Sequence, residues 1–514
     1  MGRWTVTHAP LESLTSWDAD WAGLRVIVAG LGLSGFSAAD TLIELGAQVI
    51  IVDGRDDEAN ASRADTLRIV GATDVLLGAA HVDALPLFGG LAPELLIASP
   101  GWNPRQPLLA AAAESGIPIW GDVELAWRVR ERAGRKTAEW LVITGTNGKT
   151  STVGMTESIL RAAGLRAIAA GNVGTPILDA IRDPEGFDAI AVELSSFQLH
   201  FTHSISPLAS VVLNVAEDHV DWHGGYEHYL ADKAKIYERT RVAAIYNADQ
   251  RETEAMVENA DVIEGCRAIG FTTGVPARSM LGIVEDLLVD RAFNDDRANS
   301  AIELIALNQI GEVVPRHTAA NALAAAALAR AYGVGPAAIA AGLADFDPGD
   351  HRIQAVAREN DILWINDSKA TNPHAANASL GAFSSVVWIA GGLSKGVDYQ
   401  ELVSSHAARL KAVVLIGTDN TGLRQALERH APQVPVFEAS VRETGSIAPD
   451  GATGTARGWS VMAEAVAAAA RVAEPGDTVL MAPAAASMDQ FSSYAHRGNA
   501  FIDAVGALME ANSK

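Results

Sequence analysis

The sequence predicts an α/β protein of three successive strand–turn–helix units, and three observations carry that prediction. Apolar runs that end in glycine or polar clusters recur along the chain: 24–29 into Gly30, 140–144 into Gly145 and 386–390 into Gly391. Such runs read as buried parallel strands whose carboxyl ends open into turns. The length, 514 residues, exceeds one core and suits about three domains of roughly 150 residues. Apolar residues at 49% and charged residues at 20% are the balance of a folded chain.

The first unit opens with the strand pattern at 24–29, followed by Gly30-Leu-Gly-Leu-Ser-Gly35 and a helix expected to end near Gly46. The next strand, 48–52, finishes at Asp53. Glycines that let a helix N-terminus approach a diphosphate, with an acid placed for a ribose hydroxyl, make this unit Rossmann-like. NAD meets that geometry, as does any nucleotide diphosphate, and Asp53 also reads as a plain strand-end turn residue. Ser99-Pro-Gly101 after 95–98 and Gly121-Asp-Val-Glu124 after 117–120 read as further turns on the same sheet edge. The charged, turn-poor stretch 128–139 reads as a linker, so the first domain is set at 1–137.

The second unit, 138–347, begins with Gly145-Thr-Asn-Gly-Lys-Thr-Ser151 between an apolar run and helical patterning expected from near Thr152. A strand feeding a glycine turn into a helix aims backbone N–H groups at one point, where phosphate oxygens fit. Gly145, Thr146, Asn147, Gly148, Lys149, Thr150 and Ser151 are therefore candidate ATP contacts. Lys149 is placed to neutralise the β- and γ-phosphates and the Thr150 hydroxyl to ligate Mg²⁺. The loop is shorter than Gly-x-x-x-x-Gly-Lys-[Ser/Thr], because position 143 is Ile. Asn172 follows in Ala170-Gly-Asn-Val-Gly174, and the strand 188–192 runs into Glu193. A carboxylate at a strand end beside a phosphate loop is where a Mg²⁺ ligand is needed. After the strand 209–213, His219 reads equally as a metal ligand or as a capping or surface histidine. A helix expected at 229–237 carries Lys233 and Lys235, a pair whose pattern reads as a solvated face.

The third unit, 348–514, contains His351-Arg352, the strand 362–365 running into Asn366-Asp-Ser-Lys-Ala-Thr-Asn372, and the strands 386–390, 413–416 and 479–482. Polar clusters at its strand ends again imply a site on the carboxyl edge of a Rossmann-like sheet. Residues 443–458, rich in Gly, Thr and Ala, read as a flexible surface loop. The Ala-rich stretches 319–331 and 461–472 read as amphipathic helices.

A net charge of -23 argues against nucleic acid or an anionic membrane as partner. The single cysteine, Cys266, fits a reducing cytoplasm. No leader pattern and no run of about 18 apolar residues is seen, so no membrane span is expected.

Gly145-Thr-Asn-Gly-Lys-Thr, Glu193-Leu-Ser-Ser-Phe-Gln-Leu, Asp218-His219, Asp232-Lys233-Ala-Lys-Ile-Tyr, His351-Arg352, Asn366-Asp-Ser-Lys-Ala-Thr-Asn372 and Asp489-Gln-Phe-x-x-Tyr-x-x-Arg-Gly498 together resemble the Mur ligases, across all three units. Within that family the chain is most similar to the branch that adds D-glutamate to UDP-N-acetylmuramoyl-L-alanine. The resemblance implies a UDP-substrate site at Leu33, Ser34, Asp53, Arg55 and Asn172. It implies ATP contacts at Asn321, Arg352, Asp367 and Lys369 besides the loop, and D-glutamate contacts at Thr371, Lys395, Ser487 and Tyr494. It further implies two Mg²⁺ ions, held by Thr150, Glu193, His219 and a carbamylated Lys233, with Lys149, Glu193, His219 and Lys233 as the catalytic set. A monomer that closes its third domain over the nucleotide is expected. Thr318, Met488 and Tyr494 depart from the family pattern, where Asn, Leu and Phe are frequent. Three other readings stand beside this one: an NAD-dependent oxidoreductase, a ligase for a different amino acid such as a folylpolyglutamate synthase, and a nucleotide-controlled binding protein without turnover.

Overall fold

The computed structural model describes residues 10–311, 314–347, 349–394, 396–439 and 454–512. These form two compact units, one running to 311 and resuming over Thr318–Phe346, the other comprising 314–317 and the residues from Asp347 onward. Among the described residues no helix is long and apolar enough to cross a membrane.

The first unit holds two sheets. Strands β1 (Arg25–Ala29), β2 (Gln48–Asp53), β3 (Asp74–Leu77), β4 (Leu95–Ala98) and β5 (Ile119–Gly121) lie in the order β3-β2-β1-β4-β5, all parallel. Chain direction across the sheet reverses between β1 and β4, and a doubly wound sheet opens a crevice at that switch point. The turn after β5 is not a loop: Asp122–Val129 is a helix, with Asp122 and Glu124 buried on it.

The second sheet comprises β6 (Glu139–Thr144), β7 (Ala167–Gly171), β8 (Ala189–Glu193), β9 (Ala209–Val212), β10 (Ala243–Asn247), β11 (Arg267–Phe271), β12 (Met280–Val284), β13 (Leu287–Asp290) and β14 (Ile302–Ala306). Its order is β14-β13-β12-β11-β10-β9-β6-β8-β7, parallel up to β12 and antiparallel at the β13 and β14 edge. The sequence reading places no strand between 243 and 306. The edge strands are short, and residues such as Gly282 and Glu303 interrupt their apolar runs, which hides the pattern. β6 lies between β8 and β9, so its carboxyl end is flanked by Glu193 on one side and the Asn214 turn on the other.

Helix Lys149–Ala162 packs on Pro336–Ala344, where Gly342 permits an approach in which a Cβ would stand 2.4 Å from Ile159 Cα. Helix Arg316–Tyr332 buries its alanines against the same face. The two sheets of this unit are tied by Arg182, whose guanidinium reaches Asp40 at 2.5 Å and Glu44 at 2.8 Å.

The second unit carries β15 (Gln354–Glu359), β16 (Ile362–Asn366), β17 (Val386–Ala390), β18 (Leu410–Leu415), β19 (Val436–Glu438) and β20 (Thr478–Met481), in the order β15-β16-β20-β17-β18-β19. Only β15 runs antiparallel. Of the stretch 443–458, residues 443–453 lie outside the described residues, whereas 454–458 belong to the helix Gly454–Val472 rather than to a loop.

Candidate active site

The phosphate loop forms where β6 leaves the sheet. Residues 140–143 are buried apolar groups, and the Thr144 hydroxyl donates to the Leu194 carbonyl at 2.7 Å, tying the ends of β6 and β8. Gly148 holds φ +82°, and a Cβ there would stand 2.5 Å from Asn321 Oδ1. Only glycine meets both demands at no steric cost. Because Gly148 is itself the cap, the helix begins at Lys149 rather than near Thr152. The turn is braced from the β9 side: Thr146 N donates to the Asn214 carbonyl and Asn147 N to Asn214 Oδ1, both at 2.9 Å, and Asn214 Nδ2 donates to the Asn147 carbonyl at 3.1 Å. Thr150 and Ser151 occupy the first helical turn, partly buried. Lys149 Nζ donates to the carbonyls of Gly145 at 2.9 Å and Thr146 at 3.0 Å. Burial lowers its pKa, against the opposing pull of Glu193 and Asp218. A helix N-terminus with an adjoining ammonium suits an anionic triphosphate.

Glu193 ends β8 and is 2% exposed. Asn172 Nδ2 donates to its Oε1 at 3.0 Å, while Oε2 is buried without a hydrogen-bond partner. An orphaned carboxylate oxygen is costly in the interior, and a hard cation there removes the cost. This donor fits Mg²⁺.

Lys233 is also 2% exposed, its Nζ 4.9 Å from the centroid of the Tyr229 ring. Burial drives its pKa well down, Lys149 adds to the shift, and Asp218 opposes it. Lys235 instead pairs with Asp232 at 2.9 Å. The two lysines therefore do not share a solvated face: helix Tyr226–Ala234 ends between them and a 3₁₀ turn re-aims the second.

His219 sits in a left-handed conformation, φ +52°, at the start of Val220–His223 and makes no side-chain cap. Its ring lies 4.8 Å from that of Phe197, and Nε2 is 3.5 Å from Asp218. Among the described residues no group of three or more His, Cys, Asp or Glu stands together as a metal site. The ligand set expected here relies instead on a hydroxyl and a modified lysine beside Glu193 and His219.

At the switch point between β1 and β4 a cleft of about 590 Å³ opens, lined among others by Gly32, Leu33, Ser34, Asp53, Arg55 and Trp102. A Cβ on Gly32 would meet nothing within 4 Å, whereas one on Gly35 would strike the Gly30 carbonyl. Asp53 accepts from Leu31 N at 2.7 Å and Arg55 N at 2.9 Å, so it shapes the turn as well as lining the cleft. The structure thus brings Leu33, Ser34, Asp53 and Arg55 together and places Asn172 apart from them, on Glu193.

In the second unit Arg497, 1% exposed, donates to Ser368 Oγ at 3.0 Å, to the Ser368 carbonyl at 2.9 Å and to the Ala485 carbonyl at 3.1 Å. Asp367 is buried, accepting from the Ser379 hydroxyl and from Ile353 N. Burial lifts its carboxyl to about 6 against those bonds and the charge of Arg352. Lys369 Nζ lies 3.8 Å from the centroid of the Tyr494 ring. Ala484 N donates to the Ala370 carbonyl at 3.0 Å, which sets the Thr371 segment beside the one leading to buried Ser487. Lys395 lies outside the described residues.

Sequence reasoning assigned no role to Asn214, Tyr229, Asp232 or Asp122. Tyr229 OH is 2.7 Å from Thr146 Oγ1, joining the lysine-bearing helix to the phosphate loop. Asp232 gathers His200, His223 and Lys235. Burial alone would raise its carboxyl, but hydrogen bonds from His200 and Lys235 outweigh this and hold it at about 2. The one signal available was its place beside Lys233 in Asp-Lys-Ala-Lys.

A parallel sheet whose phosphate loop shares a buried neighbourhood with an orphaned carboxylate and a second lysine, flanked in the chain by two Rossmann-like sheets, defines a nucleotide-using enzyme of the phosphate-loop class. The model of the Mur ligase MurD-like N-terminal domain matches residues 24–121, that of the Mur ligase middle domain 143–329, and that of the Mur ligase glutamate ligase domain 351–485. The chain belongs to the Mur ligase family. It is 51% identical to the UDP-N-acetylmuramoylalanine–D-glutamate ligase of Leifsonia xyli subsp. xyli, over 98% of this chain and 96% of the relative. Identity to the ligase of the same name from Streptomyces avermitilis is 52%, over 95% and 99%. A pseudomurein peptide ligase type C from Methanothermus fervidus shares the fold, with a TM-score of 0.53 at 17% identity over 93% of this chain and 99% of that one.

Proposed function

We propose that this chain is an ATP-dependent amide ligase that joins D-glutamate to UDP-N-acetylmuramoyl-L-alanine through an acyl phosphate. The observation that carries the reading is the Lys149–Glu193 phosphate site on a chain matched end to end by relatives that bear this activity in their names. Use of ATP with Mg²⁺ goes with membership of the family.

A carboxylate is a poor acyl donor, because its leaving group would be oxide. The L-alanine carboxylate therefore attacks the γ-phosphorus of ATP, ADP leaves, and the acyl phosphate formed has a good leaving group. Lys149, released from the Gly145 and Thr146 carbonyls, offsets the repulsion between two anions and stabilises the transferring phosphoryl. The D-glutamate amine then attacks the acyl carbon, phosphate departs with the bonding pair, and the amine loses its proton. Bound Mg²⁺ would add positive charge at the phosphoryl oxygens, held by Thr150, Glu193, His219 and Lys233 as its carbamate. Burial favours the neutral Lys233 amine, and that form would add CO₂ with release of a proton. The product anion would turn the Lys149–Lys233 repulsion into attraction. Leu33, Ser34, Asp53 and Arg55 would hold the uridine diphosphate. Asn172 would contact the muramoyl portion, and Thr371, Lys395, Ser487 and Tyr494 the D-glutamate carboxylates. Asn321, Arg352, Asp367 and Lys369 are assigned to the nucleotide. We assign the domains as 1–137, 138–347 and 348–514.

Phosphate release from Mg-ATP, measured with UDP-N-acetylmuramoyl-L-alanine and either D-glutamate, L-glutamate or no amino acid, tests this. Release that depends on D-glutamate is expected. Dependence on another amino acid removes the D-glutamate assignment and leaves the ligase chemistry, while ATP binding without turnover removes both.

A further inference from the structure

We propose that Asp232 is a positioning residue for phosphoryl transfer, one carboxylate that ties together the three chain segments carrying Glu193, His219 and Lys233. The inference rests on the reading of those three residues given above. Asp232 is 6% exposed. Its Oδ2 lies 2.8 Å from His200 Nδ1 and 2.8 Å from His223 Nδ1, and its Oδ1 accepts from Lys235 Nζ at 2.9 Å. Each partner belongs to a segment whose near end is a site residue. His200 closes the short helix Ser196–His200 that follows Glu193, and His223 closes the helix Val220–His223 that follows His219. Asp232 itself immediately precedes Lys233 on Tyr226–Ala234. His223 Nε2 is 3.0 Å from Ser196 Oγ, which closes the link between the first two segments. Because the carboxylate can only accept, Nδ1 donates to it, and the His223 ring is fixed in orientation between Asp232 and the Ser196 hydroxyl.

These spans are a few residues long, so a shift at Asp232 has no slack in which to dissipate before it reaches a donor atom. Partners one layer out from a metal or phosphate site commonly set the orientation of the inner ligands, and misplacement by about 1 Å is enough to slow a reaction. A carboxylate needed only for stability would look like Asp290 in the same unit. That residue is fully buried and pairs with Arg330 at 2.9 Å between strand β13 and a helix.

The test compares Asp232→Asn with Asp290→Asn in the full chain, following kcat, each KM and the Mg²⁺ concentration for half-maximal activity. Mn²⁺ affinity is measured alongside by electron paramagnetic resonance, with β,γ-methylene-ATP present. Asp232→Asn is expected to weaken Mn²⁺ binding and raise the Mg²⁺ requirement about tenfold, with kcat falling about as much, as changes in outer partners of a metal site do. The KM for D-glutamate should stay within about twofold, and Asp290→Asn should leave both metal readouts unchanged whatever its melting temperature. Metal dependence in Asp232→Asn equal to that of Asp290→Asn overturns the proposal. If Asp232→Asn does not fold, His200→Ala, which removes a partly exposed partner, decides: a raised Mg²⁺ requirement supports the role and an unchanged one overturns it. If the wild-type protein shows no turnover, the ligase reading falls, and the Mn²⁺ titrations still decide on Asp232 by the same criterion.

Discussion

The turns at 30–35 and 145–148 lie in one compact unit, each delivering a parallel strand into a helix at the switch point of its sheet, and they treat charge in opposite ways. The first opens onto a cleft of about 590 Å³ whose lining carries the exposed Arg55, and Asp53 there is already paired with backbone N–H groups and lies 3.6 Å from the Arg55 guanidinium. The second is walled by Asn214 and Asn321, and it gathers Lys149, Glu193 and the buried Lys233. In the proposed reading, a diphosphate that only has to be held is met by backbone N–H groups and one exposed arginine. A phosphoryl group that has to move needs fixed charges whose desolvation has been met in advance by the fold.

The largest expected effect separates the two turns outright. Lys149→Ala should lower kcat by about a thousandfold or more, the scale on which one preorganised charge acts in transition-state stabilisation. Binding of UDP-N-acetylmuramoyl-L-alanine, followed by calorimetry, should be unchanged, and circular dichroism should show an intact fold. Near-wild-type turnover in this variant would remove the ATP assignment.

Next come the glycines. Gly148→Ala forces a side chain onto φ +82° and against Asn321 at 2.5 Å, so kcat/KM for ATP should drop by about a hundredfold, as a misplaced reacting group implies. Gly32→Ala meets nothing within 4 Å and sits at an ordinary φ of -72°, so folding and the KM for ATP should not change. Its methyl group would project into the open cleft, and the KM for the UDP substrate should rise several-fold. Equal effects on both substrates from both variants would erase the distinction between the turns.

Much of this contrast was legible in the sequence, because strand-end glycines and the Gly-Lys-Thr run are local signals whose spacing survives without coordinates. Glu193 was legible for the same reason, as a carboxylate at the end of an apolar run. What was not legible is long-range. Lys233 and Lys235 read as a solvated pair, since nothing local says that the helix ends at Ala234 and buries one of them. Asn214 reads as an ordinary strand-end residue until β9 is seen beside β6. Asp122 read as a turn residue because a polar residue after a short strand usually is one. Here it starts a buried helix against Gln198.

Asp122 also gives the smallest effect, and one that joins the two turns. Its side chain is 3.4 Å from Gln198 Nε2, on the helix beyond Glu193, and takes a second hydrogen bond from Ser34 beside the first turn, while its Oδ1 has no partner. Burial raises its carboxyl to about 6 from 3.8, against the hydrogen bonds of Ser34 and Gln198. A carboxyl whose folded pKa lies above its unfolded one costs nothing while both states are protonated. Its cost grows as pH climbs from about 4 and is complete above about 6. Asn cannot ionise, so Asp122→Asn should match the wild type in stability near pH 4 and exceed it by about 1 to 3 kcal/mol at pH 7, the scale of a shift of about two units. Urea unfolding at the two pH values measures the difference. A variant less stable than the wild type at pH 7 would mean that the ionised carboxylate is held favourably between the two turns, and that charge is shared between them after all.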